Sequence, residues 1–569
     1  MTLLAIDRLT VEYPSRNGVF TAVSGASFSV AAGEILGVVG ESGAGKSTVG
    51  TAVMGLLSAP GRIGAGSIRY RGQELVGLPA EDIRRLRGRH IGMIFQDPST
   101  ALNPLLTVGR QLIETIRLHH GLDDDAARAR ALALMADVGI PDPESRLGVY
   151  PHQLSGGLRQ RVVIAIVLSG DPDLIIADEP TTALDVSIQA QILDLIRAIC
   201  RDRGVGVLLV THDMGVISEV ADRVAVMSRG EVVEIGATRA LIDRPQAPYT
   251  RRLISAVPRT DRRLRRFVLV QAADAGGLPP SDTITSWFGR GGVASPAEGP
   301  LIEVRGLHVS FVARKALLKR NRVMLPAVRD VSFDVASGEV LGLVGESGSG
   351  KSTVARAITG LIAPDGGAVR FAGVDLSDPA RRSEARALRL GMQMIFQDPF
   401  GSLNPRMRVG EIIAEPILYH RLAGREEAWA IVNDLLDRVG LGRAAAAKMP
   451  HQFSGGQRQR IGIARALATR PRFLVCDEPT SSLDVSIQAQ ILNLLKELQE
   501  SLGLTMLFIS HNLAVIRQMC DRVAVMRAGE VCELADTESL FSRPQHSYTA
   551  ELLRLMPKFE TRMDAEALP

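Results

Sequence analysis

Repetition constrains this chain more than any other feature. One ordered set of phosphate-handling motifs occurs twice, the second copy roughly 300 residues after the first. In the first half the apolar run Ile35 to Val39 leads into Gly40-Glu41-Ser42-Gly43-Ala44-Gly45-Lys46-Ser47-Thr48. In the second, Val340 to Val344 leads into Gly345-Glu346-Ser347-Gly348-Ser349-Gly350-Lys351-Ser352-Thr353. Strand, glycine loop and helix together form the context in which such a loop holds a nucleotide. The glycines let backbone N–H groups turn inward around phosphates, the helix presents its positive end, and the lysine reaches the β- and γ-phosphates. Ser47 and Ser352 then stand where a hydroxyl ligates Mg²⁺. A single glycine-rich turn arises by chance; two, each followed by the same further motifs, do not.

Downstream, Leu174-Ile175-Ile176-Ala177-Asp178-Glu179 and Phe473-Leu474-Val475-Cys476-Asp477-Glu478 read as buried parallel strands that end in consecutive carboxylates. Side chains alternate along a strand, so the two acids take different tasks. Asp178 and Asp477 are expected in the Mg²⁺ shell, and Glu179 and Glu478 as acceptors of a proton from the attacking water. An Asp-Glu pair alone would be a solvated strand end; the apolar strands and the paired phosphate loops reverse that reading.

A second glycine motif follows, Leu154-Ser155-Gly156-Gly157-Leu158-Arg159-Gln160-Arg161, and recurs as Phe453-Ser454-Gly455-Gly456-Gln457-Arg458-Gln459-Arg460. Each serine stands 23 residues before its Mg²⁺ aspartate. This element resembles the signature loop of ABC-type ATPases. The resemblance implies an α/β fold of two tandem P-loop ABC ATPase domains, each with a RecA-like core, an antiparallel β subdomain and a helical subdomain. By the same resemblance Gln96 and Gln397 match the Q-loop glutamines, which also reach the metal. His212 and His511 match the switch histidines, and Ala183-Leu184-Asp185 and Ser482-Leu483-Asp484 the D-loops. Tyr13 and Phe311 sit where an aromatic ring stacks on adenine. In that family a nucleotide lies between the phosphate loop of one domain and the signature loop of another. Lys46 is therefore expected to work with Ser454, and Lys351 with Ser155. Phe453 replaces the usual leucine in the second signature.

Ser454, Asp477, His511 and Arg543 each follow Ser155, Asp178, His212 and Arg244 by 299 residues, so the halves are tandem duplicates. A chain of 569 residues, 46% of them apolar, buries two sizeable cores. The expected division is a first domain over 1–258, a flexible linker over 259–300, a second domain over 301–557 and a short tail over 558–569. The linker reading rests on Gly276-Gly277-Leu278-Pro279-Pro280 and Gly289-Arg290-Gly291-Gly292. A longer basic loop, 314–322, distinguishes the second half.

A net charge of +4 is small for this length, and the clusters Arg84 to Arg89 and Arg262 to Arg266 read as solvated faces, so no nucleic-acid partner is expected. Four cysteines without C-x-x-C spacing suit a reducing cytosol. The N-terminus opens on a strand rather than on a signal peptide. No run approaches the roughly 20 apolar residues that cross a bilayer, so a channel, if one is used, belongs to other subunits.

Asp97-Pro98-Ser99-Thr100-Ala101-Leu102-Asn103-Pro104 and Asp398-Pro399-Phe400-Gly401-Ser402-Leu403-Asn404-Pro405 directly follow the Q-loops. These segments resemble the peptide and nickel import group, as do the tails Arg244-Pro245-Gln246-Ala247-Pro248-Tyr249-Thr250 and Arg543-Pro544-Gln545-His546-Ser547-Tyr548-Thr549. Within that group the fused form is similar to the glutathione-importing branch. The resemblance implies an ATP-hydrolysing motor using ATP and Mg²⁺, held peripherally on the cytoplasmic face of the inner membrane. Its partners would be two integral membrane permease subunits and a periplasmic or extracytoplasmic substrate-binding protein. The cargo stays open between glutathione, dipeptides, oligopeptides and nickel. A soluble tandem ABC protein acting on ribosome or DNA is the distant alternative; it would carry a long charged linker or a zinc-binding cysteine cluster, and neither is present.

Overall fold

Runs that are apolar on both faces belong in the middle of parallel sheets, and the runs before each glycine loop and each acid pair occupy that position. A computed structural model describes residues 1–15, 18–182, 184–269, 287–288, 299–314, 323–481, 483–556 and 559. The chain forms two units, the first within Met1–Val257 and the second over Pro258–Met556.

In the first unit a six-stranded sheet runs in the order 231–237, 223–228, 35–39, 206–210, 174–178, 91–94. Ile35–Val39 pairs in parallel with both 206–210 and 223–228, and only 231–237 runs antiparallel to its neighbour. All five residues of Ile35–Val39 and of Leu174–Asp178 are buried. A four-stranded antiparallel sheet, ordered 18–31, 2–15, 62–70, 73–74, packs beside it. One apolar core joins the two sheets through Leu4, Val11 and Phe28 on one side and Leu36, Val38 and Ile176 on the other. Helices Val108–His120, Asp124–Asp137 and Gly156–Leu168 make the helical part, inserted between strands 91–94 and 174–178.

The second unit repeats this plan. Its six-stranded sheet runs 392–395, 473–477, 505–509, 340–344, 522–527, 530–536, and its antiparallel sheet 323–335, 302–314, 366–371, 374–375. The α/β class with an antiparallel sheet and a helical insertion in each half is thus the observed architecture. No helix among the described residues is long and apolar enough to cross a membrane.

The expected flexible linker differs from the structure at its start. Residues 259–267 lie along helices Val485–Leu502 and Leu513–Met519 of the second unit. Gln518 Nε2 donates to the carbonyls of Arg259 and Arg262 at 2.8 and 2.6 Å, while its Oε1 accepts from Leu264 N–H at 2.6 Å. The Asn493 amide exchanges two hydrogen bonds with the Phe267 backbone, at 2.9 and 2.8 Å. Leu264 and Phe267 are buried, as is Trp287, whose ring lies under the Arg470 guanidinium at 4.3 Å. The arginines read as a solvated cluster flank this apolar contact: Arg263 pairs with Asp521 at 3.3 Å and Arg266 pairs with Glu500. The glycine-rich part of the expected linker, most of the basic loop 314–322 and, apart from Phe559, the tail 558–569 lie outside the described residues.

Candidate active sites

Each glycine loop turns directly into a helix, Lys46–Val53 in the first unit and Lys351–Ile358 in the second. The residue before each helix has left-handed backbone, φ 92° at Gly45 and 103° at Gly350. A Cβ there would stand 2.4 Å from the Ala22 carbonyl oxygen or 2.5 Å from that of Ala327, so only glycine fits. The lysines are buried with the loops closed around them. Lys46 Nζ donates to the carbonyls of Gly40 and Glu41 at 2.8 and 2.9 Å, and Lys351 to those of Gly345 and Glu346 at 2.7 and 2.8 Å.

The strand ends carry the acids to these loops. Ser47 Oγ donates to Asp178 Oδ1 at 2.9 Å, and Ser352 Oγ to Asp477 Oδ1 at 2.9 Å. Burial pushes both aspartates up despite these hydrogen bonds. The next residue leaves the strand: Glu179 and Glu478 both have φ 47°, a strained backbone for glutamate. Their N–H groups still donate to the adjacent strand, at Val210 O and Ile509 O. The turn swings each carboxylate off the aspartate's face. Glu179 accepts from Gln96 Nε2 at 2.7 Å and Thr182 Oγ1 at 2.9 Å, and lies 3.0 Å from His212 Nδ1. Glu478 accepts from Gln397 Nε2 at 2.8 Å and lies 3.2 Å from His511 Nδ1. Burial alone would raise these glutamates, but the hydrogen bond and charge of the facing histidine, together with the loop lysine and a hydroxyl from Thr182 or Ser481, outweigh it and hold both carboxyls below the usual value. Burial disfavours the His212 cation, and Glu179 reverses that, leaving the imidazole above its ordinary value.

Each unit therefore gathers lysine, serine, aspartate, glutamate, glutamine and histidine of the expected set. Gln96 and Gln397 lie on the glutamates rather than on the serine–aspartate pairs. Ser155-Gly156-Gly157 and Ser454-Gly455-Gly456 open different elements, helices Gly156–Leu168 and Gly455–Leu467. Each serine hydroxyl accepts its cap bond at 3.4 Å, and only Ser454 has the reciprocal one, its N–H donating to Gln457 Oε1 at 3.1 Å, since the first copy has Leu158 there. Tyr13 and Phe311 lie on the antiparallel sheets; Tyr13 is half-buried against Gly61 and Phe311 is exposed. Of the D-loops, Ala183 and Ser482 lie outside the described residues, and Asp185 and Asp484 stand at the starts of the next helices, where Asp484 Oδ1 accepts from Ile487 N–H at 3.0 Å.

One contact was not foreseen. Tyr249 Oη accepts from Glu41 N–H at 3.3 Å, and Tyr548 Oη from Glu346 N–H at 3.2 Å. The available signal was the recurrence of a tyrosine at the same offset in both tails.

Comparison with known proteins gives the same two-part picture. The family model described as "ABC transporter" matches residues 23–182 and 328–481. That described as "Oligopeptide/dipeptide transporter, C-terminal region" matches 233–276 and 532–569. The chain is 45% identical over 572 aligned residues to the glutathione import ATP-binding protein GsiA of Escherichia coli O157:H7, covering 98% of this chain and 90% of that protein. The same figures hold for GsiA of Escherichia coli strain K12. A solved ATP-binding cassette, MJ0796 as a post-hydrolysis dimer bound to ADP and Pi, is 28% identical and covers 42% of this chain and 99% of its own, with a TM-score of 0.38.

Proposed function

This chain belongs to the ABC transporter family of ATP-binding proteins, and from that premise we propose that it is the ATP-hydrolysing motor of an importer for glutathione or a closely related short peptide. The observation that supports this most is the duplicated cluster, Lys46, Ser47, Asp178, Glu179, Gln96 and His212 with its counterparts in the second unit, each joined to a peptide-importer tail. Both copies are complete.

In the proposed mechanism the backbone N–H groups of 42–48 and 347–353 cradle the phosphates, and Lys46 and Lys351 exchange loop carbonyls for phosphate oxygens. Tyr13 and Phe311 offer faces for adenine, and the signature serines and glycines complete the phosphate contacts. Glu179 or Glu478 accepts a proton from water as the water oxygen attacks the γ-phosphorus, and the bond to the departing ADP oxygen breaks. His212 and Gln96 hold the Glu179 carboxylate in place for that transfer, and His511 and Gln397 do the same for Glu478. The hydroxyl of Ser47 and the carboxylate of Asp178, like Ser352 and Asp477, are hard oxygen donors already brought to one point, and they fit Mg²⁺. When bound, the ion neutralises charge on the β- and γ-phosphates.

As a motor the chain would sit at the cytoplasmic face of the inner membrane, held by two permease subunits that receive cargo from a binding protein. The segments after Gln96 and Gln397 present Leu105 and Phe400, 81% and 61% exposed, on the surface that such subunits would contact. The glutathione reading follows the GsiA relatives. The oligopeptide/dipeptide match of both tails favours a second reading, a general short-peptide importer.

Uptake of labelled glutathione against a labelled dipeptide, in cells carrying the native chain or Glu179→Gln/Glu478→Gln, separates these. Glutathione uptake lost in the variant supports the first reading; dipeptide uptake alone lost supports the second; neither lost removes the importer reading.

A further inference from the structure

The C-terminal extension of each unit is built to reach the phosphate loop. In the first unit the Glu234 carboxylate, on strand Glu231–Ala237, accepts the N–H groups of Gln246 and Ala247 at 2.8 and 3.0 Å. In the second, Glu533 accepts those of Gln545 and His546 at 2.8 and 3.0 Å. Each carboxylate pins the loop that enters the tail helix, Pro248–Ala256 or Ser547–Leu555. That pin fixes where the helix starts, and the first turn carries Tyr249 or Tyr548. The ring of Tyr548 is buried, with the Arg527 guanidinium 4.8 Å from its centre.

The tyrosine hydroxyl meets the residue that links the loop to its lysine. Glu41 N–H donates to Tyr249 Oη at 3.3 Å, and the Glu41 carbonyl accepts from Lys46 Nζ at 2.9 Å. Glu346 does the same between Tyr548 at 3.2 Å and Lys351 at 2.8 Å. In the nucleotide reading the lysine turns its ammonium toward phosphate oxygens, which loosens its hold on that carbonyl. The Ala44 N–H still holds the Glu41 carbonyl at 3.1 Å, as Ser349 N–H holds that of Glu346 at 3.1 Å, while the tyrosine holds the N–H side of the preceding peptide group, whose carbonyl, Gly40 or Gly345, is the lysine's other acceptor. The same geometry in two copies whose tails differ at neighbouring positions (Ala247-Pro248 against His546-Ser547) marks it as a retained contact.

We infer that Tyr249 and Tyr548 are positioning residues for ATP, through which each C-terminal extension sets the conformation of its phosphate loop. This rests on the nucleotide reading of the loops.

The test uses the full-length chain carrying Tyr249→Phe, Tyr548→Phe or both, with Tyr249→Ala/Tyr548→Ala and Lys46→Ala/Lys351→Ala alongside. Phenylalanine keeps the ring and removes one hydrogen bond, so the double phenylalanine variant should bind ATP about fivefold more weakly. Its KM should rise to match, with kcat within about twofold and an unchanged thermal midpoint. Each single variant should weaken one class of site and leave the other at native affinity. Native ATP affinity in the double phenylalanine variant, with a lower thermal midpoint only in the alanine variant, would reduce the tyrosines to packing groups and overturn the inference. If the lysine variant also binds ATP normally, the phosphate-loop reading fails instead.

Discussion

His212 Nδ1 stands 3.0 Å from Glu179 Oε1, and the other oxygen of that carboxylate receives the Gln96 amide at 2.7 Å. A glutamate held from two sides, on a strained backbone and below its ordinary pKa, is an ionised base with a fixed direction. The glutamate and its two partners come from three neighbouring strand ends of one sheet, at residues 178, 94 and 210, so the sheet itself sets the geometry.

Replacing that base without touching the cradle should separate chemistry from binding. Glu179→Gln/Glu478→Gln is expected to lower phosphate release by at least about 100-fold while ATP affinity stays within about threefold of native. Steady-state phosphate release and equilibrium nucleotide binding on the same preparations check this. Normal turnover would remove the glutamates from the reaction.

The serine–aspartate pairs make a different claim, about metal rather than protons. Ser47→Ala/Ser352→Ala should raise the Mg²⁺ concentration for half-maximal hydrolysis by about tenfold, because one oxygen donor is lost from each site. Titrating Mg²⁺ at saturating ATP reads this directly. The fold should be indifferent to the change, and an unchanged Mg²⁺ requirement would move the metal elsewhere.

Much of this arrangement was legible in the sequence, for a physical reason. A phosphate cradle needs glycines, a lysine and a hydroxyl in fixed order, and a buried strand ending in Asp-Glu leaves few alternatives. Duplication then supplied an internal control, since any residue present at both offsets had to be explained twice. Contacts between segments distant in sequence were less legible. Nothing local to Tyr249 shows that its hydroxyl reaches Glu41, 208 positions earlier. Arg262 to Arg266 read as a solvated run because charge dominates its composition, yet Leu264 is the residue that the second unit buries. The left-handed turn at Glu179 is equally invisible, because it is imposed by the neighbouring strand rather than by the residue's own preference.

The packed segment 259–267 should contribute to the stability of the second unit. Phe267 is buried, with Lys496 Nζ 5.3 Å from its ring centre. Phe267→Ala is expected to cost about 3 kcal/mol, as for other buried phenylalanines. Gln518→Leu should cost about 1 to 3 kcal/mol by stranding the polar groups it joins. Thermal unfolding gives the magnitude, and hydrogen exchange at Leu264 and Phe267 gives the location. Fast exchange at both amides in the native chain would contradict the packing.

Lys496 gives that segment a pH dependence. Its Nζ donates to Leu264 O at 2.8 Å, and burial, then Arg263 and Arg266, push it down from 10.5 to about 8, against the opposing pull of Glu500. Glu500 is itself held low by Arg266 and stays ionised at alkaline pH. Between about 8 and 10 the unfolded chain therefore binds a proton at this position that the folded chain has released, so this group makes stability rise with pH across that window. Below about 8 the cost of burying the ammonium is present in full. Lys496→Met loses the bond to Leu264 and starts from a lower stability, but it also loses this dependence. Thermal midpoints taken every half unit from pH 7 to 10 should accordingly diverge, the native chain losing less than the variant on the alkaline side or gaining outright. Curves that run parallel over the whole range would show that Lys496 keeps an ordinary ammonium in the folded protein.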